Sequence, residues 1–129
     1  MYLIDSDVLI NFLKGEKEAV KTINKLQSQP LYISIISVGE ILEGLLETKN
    51  KKKLTSFKEL LKTVTIINID LSIIERFASI RRSLRQKGLL IDNFDLLIAA
   101  TCLTHNLILI TNDISHFKRI LELKILTIK

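Results

Sequence analysis

Met1-Tyr2-Leu3-Ile4-Asp5-Ser6-Asp7-Val8-Leu9-Ile10 is the stretch whose reading decides the fold. Residues 2–5 read as a short apolar strand that runs straight into two carboxylates. Helical spacing follows at Val8, Leu9, Phe12 and Leu13 and is stopped by Gly15, a residue type favoured just past a helix end. A strand passing at once into a helix is half of a βαβ unit. The rest of the chain either repeats that unit or does not.

It repeats it. Residues 16–28 read as an amphipathic helix with Val20, Ile23 and Leu26 on one side, closed by Pro30. Residues 31–35 form a β-branched-rich strand. From Ser37 the period becomes helical, with the stripe Val38, Ile41, Leu42, Leu45 and Leu46 and with Glu40, Glu43 and Glu47 opposite. The basic run Lys49–Lys53 begins or precedes a helix with the stripe Leu54, Phe57, Leu60 and Leu61. Residues 63–68 form a third strand. Asp70 or Ser72 can cap the next helix, whose stripe is Ile73, Ile74, Phe77, Ile80 and Leu84, and Gly88 ends it. Residues 93–105 are apolar on nearly every side, as a central buried helix is, and Asn106 ends them. Leu107-Ile108-Leu109-Ile110 is a strand of the kind buried on both faces. A short helix to about residue 121 and a strand over 124–128 finish the pattern. Strands alternating with helices predict an α/β fold in which a parallel sheet is sandwiched between helices.

Composition narrows the class. The 129 residues suit one domain, 1–129, with a real core. Aromatics are only 5% against 47% apolar residues, so that core is aliphatic. No apolar run reaches the roughly 18 to 20 residues of a membrane span. No basic segment followed by an apolar stretch and a cleavage site is present, so neither a secretory signal nor a membrane partner is expected. A single cysteine, Cys102, excludes an internal disulfide and points to a reducing, cytoplasmic setting, where it reads as a small buried hydrophobe. The net charge of +5 is compatible with a nucleic-acid partner and is weak evidence alone.

The acids are more informative than the bases. Ligands of open parallel sheets bind beyond the carboxyl ends of the strands. Asp5 and Asp7 follow the first strand, and Asp113 follows the Leu107–Ile110 strand. Glu40 lies in the first turns of the helix after the second strand, and Asp92 and Asp95 start the buried helix. Each has a structural alternative. Asp7 and Asp113 can cap helices, Asp92 and Asp95 resemble a capping box, and Glu40 can be a solvated helix residue. Taken together they are harder to dismiss. Asp95 sits in the most hydrophobic stretch, where an unpaired carboxylate is expensive. Converging carboxylates repel one another, and a hard divalent cation such as Mg²⁺ or Mn²⁺, which takes oxygen ligands, relieves that repulsion. His105 and His116 are too scattered for zinc. No glycine-rich phosphate loop and no Ser/His/Asp pattern is present.

Four landmarks carry a family resemblance: Ile4-Asp5-Ser6-Asp7-Val8-Leu9-Ile10; Ile33 to Gly44, with Glu40 at its centre; Ile91-Asp92-Asn93-Phe94-Asp95-Leu96-Leu97-Ile98-Ala99-Ala100; and Leu109 to Phe117, with Thr111-Asn112-Asp113. In this order and spacing the chain resembles the PIN-domain nucleases and, among them, the VapC-type toxins of toxin–antitoxin pairs. The resemblance covers nearly the whole chain. It implies a three-layer α/β/α sandwich whose parallel sheet of about five strands has the order 3-2-1-4-5. It implies a Mg²⁺- or Mn²⁺-dependent endoribonuclease that hydrolyses RNA, forms a homodimer and is inhibited by a VapB-type antitoxin. Asp5, Glu40 and Asp95 match the three core acids, and Asp113 the region of a fourth. Thr111 matches a hydroxyl that holds the first acid, with Asp7 and Asn112 in support. Many relatives carry an acid where this chain has His116, which is read here as a surface residue in preference to a phosphate contact. Arg81, Arg82, Arg85 and Lys49–Lys53 are candidate contacts to an RNA backbone and equally ordinary solvated faces. A PIN nuclease outside toxin–antitoxin systems, or a binding module whose acids only cap helices, are the competing readings.

Overall fold

The computed structural model describes residues 1–128. Its elements follow in the order β1 (Tyr2–Ile4), α1 (Ser6–Leu13), α2 (Lys17–Leu26), β2 (Leu31–Ser34), α3 (Ile35–Thr48), α4 (Lys51–Leu61), β3 (Thr65–Ile67), α5 (Leu71–Gln86), α6 (Asn93–His105), β4 (Ile108–Ile110), α7 (Ile114–Phe117) and β5 (Ile125–Leu126). All strand pairs are parallel, and the order across the sheet is β3-β2-β1-β4-β5. The predicted α/β architecture and strand order are therefore both found.

Side chains alternate across each strand, so the sheet has two apolar faces. Leu3 and Leu109, which are register partners, point into the core built with α5, α6 and α7. Ile4 and Ile110, also partners, point into the core built with α1, α2, α3 and α4, together with Leu31 and Ile33. Both faces of β1 and β4 are thus sealed between layers. α6 explains its own composition: Leu96, Ile98, Ala99, Ala100 and Cys102 are all fully buried. Burial also pushes the Cys102 thiol well up, away from reactivity.

The β1–α1 and β2–α3 boundaries differ from the predicted ones for one reason. Asp5 and Ser34 look like strand residues but act as N-caps: Asp5 accepts a hydrogen bond from Ser6 N–H, and Ser34 from Ile36 N–H. A side chain that satisfies a free helical N–H ends the strand and starts the helix at that residue. α3 accordingly begins at Ile35 and not at Ser37. The same geometry corrects the expectation for Asp7, which lies within the first turn of α1 and is not its cap. Asp70 takes the cap of α5 and Ser72 does not. Gly15 and Gly88 take positive φ at the helix ends where they were expected, and Asn106 does so at the end of α6. The apolar stripe of α3 is only partly core, because Leu46 is 64% exposed.

Phe57 is fully buried and ties α4 to the second core. Phe57→Ala is expected to lower stability by about 3–5 kcal/mol in urea unfolding, whereas Leu46→Ala should stay within about 0.5 kcal/mol.

Candidate active site

The carboxyl edge of the sheet brings the acids together through register. β1 and β4 are adjacent and pair Ile4 with Ile110, so the next residues, Asp5 and Thr111, stand side by side. Asp5 N–H continues the ladder to Ile110 O at 2.9 Å. Thr111 is fully buried, and its Oγ1 donates to Asp5 Oδ2 at 2.7 Å. The same Oγ1 accepts from Asp113 N–H at 3.0 Å. That second bond occupies the hydroxyl's acceptor side and leaves its proton for Asp5. Ser6 N–H holds the other Asp5 oxygen at 2.8 Å.

Three further segments deliver acids to this edge. Glu40 lies on α3 and accepts from Ser6 Oγ at 3.3 Å, so it faces the start of α1 and is not simply solvated. Asp95 lies in the first turn of α6. The expected capping box is only half made. Asp92 accepts from Phe94 N–H at 3.0 Å, but the Asp95 carboxylate makes no hydrogen bond among the described residues. Asp is one methylene shorter than the Glu or Gln that closes such a box, and its carboxylate stays available. Asp113 caps α7 and lies 3.0 Å from His116 Nδ1. Asp7 accepts from Val8 N–H at 2.7 Å and Asn112 N–H at 3.3 Å, which ties α1 to the loop after β4.

The electrostatics record the crowding. Burial, and then the Asp7 charge, push the Asp5 carboxyl up to about 7, against the pull of the Thr111 and Ser6 hydrogen bonds. Burial and the charges of Asp92, Asp113 and Glu40 push Asp95 up to about 6. Burial also raises Glu40 and Asp7, although hydrogen bonds from Ser6, and from Asn112 and Val8, oppose it. Asp113 goes the other way. Burial lifts it, but its hydrogen bonds to His116 and Ser115 together hold it below the ordinary range.

Asp95, Asp113 and His116 each offer a ligand atom, and these atoms lie within 4.8 Å of one another. The sequence reading placed His116 on the surface. Its side chain is half exposed, yet the structure seats it in the acidic group. The signal that could have found it is the spacing Asp113-x-x-His116 at a helix start, which puts both side chains on one face. Asp5 is deeper, 5% exposed, and feels the Asp95 charge. Nearby, Asn112 Oδ1 is buried with no hydrogen-bond partner among the described residues. Carboxylate oxygens in mutual repulsion, one neighbouring imidazole and an orphaned amide oxygen form a donor set that suits a divalent cation.

Known proteins share this arrangement of sequence. The family model described as PIN domain matches residues 2–122. A protein named ribonuclease VapC1 from Methanocaldococcus jannaschii is 38% identical over 120 residues, covering 93% of this chain and 81% of that protein. Ribonuclease VapC1 from Rickettsia felis is 32% identical over 130 residues, covering 98% of this chain and 95% of that protein. Among solved structures, VapBC2 from Rickettsia felis bound to a DNA fragment from its promoter superposes with a TM-score of 0.91 at 27% identity, covering 99% of this chain and 98% of the other.

Asp95 binds its proton more tightly folded than unfolded. In metal-free protein its contribution to stability is therefore full below about pH 4 and is lost as pH rises through about 6. Asp5 acts in the same direction up to about 7. Asp95→Asn should leave the melting temperature in EDTA unchanged near pH 4 and raise it by a few degrees at pH 8. A loss at pH 8 would contradict the repulsion.

Proposed function

We propose that this chain, which belongs to the PIN-domain family, is an endoribonuclease that hydrolyses RNA phosphodiester bonds and serves as the toxin of a toxin–antitoxin pair. The observation that carries the reading is the meeting of Asp5, Glu40, Asp95 and Asp113, from four separate segments, at one sheet edge. The names of the relatives support the activity and the toxin role. Capping alone does not account for Asp95, which caps nothing and is raised by its neighbours.

Asp5, Asp95, Glu40 and Asp113 would hold Mg²⁺ or Mn²⁺, and His116, whose ring lies with Asp95 and Asp113, would join them. A bound divalent cation supplies the charge that polarises a phosphodiester, neutralises it during displacement and acidifies water. The chain's own residues do the positioning. Thr111 fixes the rotamer of Asp5, Ser6 fixes Glu40, and the imidazole of His116 fixes Asp113. Asp7 and Asn112 lock the loop that carries Thr111 and Asp113 against α1.

Basic residues supply the hold on the RNA backbone. Arg81 donates through Nε to Asn93 Oδ1 at 3.1 Å, at the start of the helix that carries Asp95. Lys51, Lys52 and Lys53 crowd the first turn of α4, where the helix dipole disfavours cations, and none has a salt bridge among the described residues. Phosphates would relieve that repulsion. The antitoxin lies along the apolar cleft of about 210 Å³ lined by Ile10, Leu13, Ile41 and Leu45, whose wall also includes Glu40, one of the acids. The chain works as a homodimer. No helix among the described residues is long and apolar enough to cross a membrane, and cytoplasmic action is part of this reading.

Purified protein is expected to cleave RNA when Mg²⁺ or Mn²⁺ is added and not in EDTA. Asp5→Asn and Asp95→Asn should reduce cleavage to background, and Thr111→Val should reduce it about 10- to 100-fold. Full activity in both acid variants overturns the site. Expression should arrest growth, and co-expression of the protein encoded beside it should restore growth.

A further inference from the structure

A second cleft, of about 480 Å³, opens directly beside the acids where α1, α3 and α6 meet. Its apolar surface comes from Ile10, Ile35, Ile36 and Phe94. Phe94 immediately precedes Asp95, is 50% exposed and belongs to neither core. Exposed aromatics on a helix lose stabilising burial, and nothing in the fold requires this one. Gly39 also borders the cleft. It sits inside α3, where glycine costs roughly 1 kcal/mol relative to alanine. No neighbour demands it, because a Cβ built there meets nothing within 4 Å. Its effect is to leave the cleft open. Glu40 and Glu43 form the charged wall.

These features select an occupant. The carboxylates repel phosphate, so the cleft does not take the RNA backbone. A flat, neutral ring that offers N–H donors complements both the aromatic face and the carboxylates. We infer that this cleft is a nucleobase subsite, in which Phe94 stacks on an unpaired base of the RNA and Glu43 accepts hydrogen bonds from the base's N–H edge. Single-stranded RNA is commonly held by such stacking, which any base can satisfy. The carboxylate adds preference. Guanine presents two adjacent donors, N1–H and N2–H, to one carboxylate. Uracil presents a single N–H, and adenine and cytosine present an amino group alone. The inference rests on the ribonuclease reading, because the base is placed beside the phosphate that the acids address.

The chain contains no tryptophan, so Phe94→Trp introduces a lone tryptophan, excited apart from the two tyrosines, at an exposed position. The experiment is titration of this variant in EDTA with a single-stranded oligoribonucleotide containing one guanosine, and with the same strand made abasic at that position. Saturable quenching by the first, about tenfold weaker with the second, is expected. Phe94→Ala should weaken binding of the first strand, followed by anisotropy, about tenfold, and Phe94→Tyr should retain it. Replacing guanosine by uridine should weaken binding to Phe94→Trp, and Glu43→Gln should reduce that discrimination. Binding seen by anisotropy without quenching, or no binding at all, overturns the subsite. So does a change in Phe94→Ala confined to the sedimentation coefficient or to antitoxin binding, which would make the cleft a protein contact. The two readings separate because the titration needs no cleavage. Quenching by a protein that never cleaves keeps the subsite and removes the nuclease, and cleavage without quenching does the reverse.

Discussion

The hydrogen bond from Thr111 Oγ1 to Asp5 Oδ2 is the constraint on which the site depends. It exists because β1 and β4, remote in sequence, are parallel neighbours in register. A slip of one residue would turn Asp5 to the wrong face and bury a carboxylate in an aliphatic layer. The two sealed faces of the sheet forbid that slip, since Leu3 and Leu109 belong to one core and Ile4 and Ile110 to the other. Packing in the body of the sheet therefore sets geometry at its edge. The hydroxyl passes that order on, because it also accepts from the backbone of Asp113.

The arrangement is poor for stability and useful for chemistry. Asp5 and Asp95 are both pushed up by burial and neighbouring acids. Hydrogen bonds from Thr111 and Ser6 offset only part of this at Asp5. A fold that keeps several acids in this state stores repulsion that a bound cation would release, and binding energy for the cation would come partly from that relief. His116 holds Asp113 in its charged form, which sustains the repulsion on Asp95, while the imidazole beside Asp95 opposes part of it. Strain of this kind at a sheet edge is expected of a functional site and not of a capping scheme.

Charge and shape also divide the surroundings of the acids by the part of a nucleotide each suits. Lysines and arginines on α4 and α5 suit phosphate, the acids suit a cation, and the cleft under Phe94 suits neither. An exposed aromatic beside a helix glycine leaves room for a ring. Both departures from ideal helix design lie within reach of the same acids, which is where local rules are expected to yield to function.

Much of this was legible in the chain itself. Periodicity marks the strands and helices because a buried strand and a buried helical face repeat their apolar residues differently. Gly15, Gly88 and Asn106 mark helix ends because they tolerate positive φ. The carboxylates after successive strands could be named for the same reason: in a parallel sheet those residues share one edge. Boundaries were less legible. Asp5 and Ser34 serve strand and helix at once, and only the bonds they accept assign them to the cap. Tertiary structure alone decided which acid is free and which is spent. Asp92 is used up on Phe94 N–H, Asp7 is tied to Asn112, and Asp95 is left open. It alone set Asp95 beside Asp113 and His116 and left Leu46 outside the core. Sequence spacing shows which face of a helix a residue occupies. What that face meets depends on crossovers that bring distant segments together, and those exist only in the folded chain.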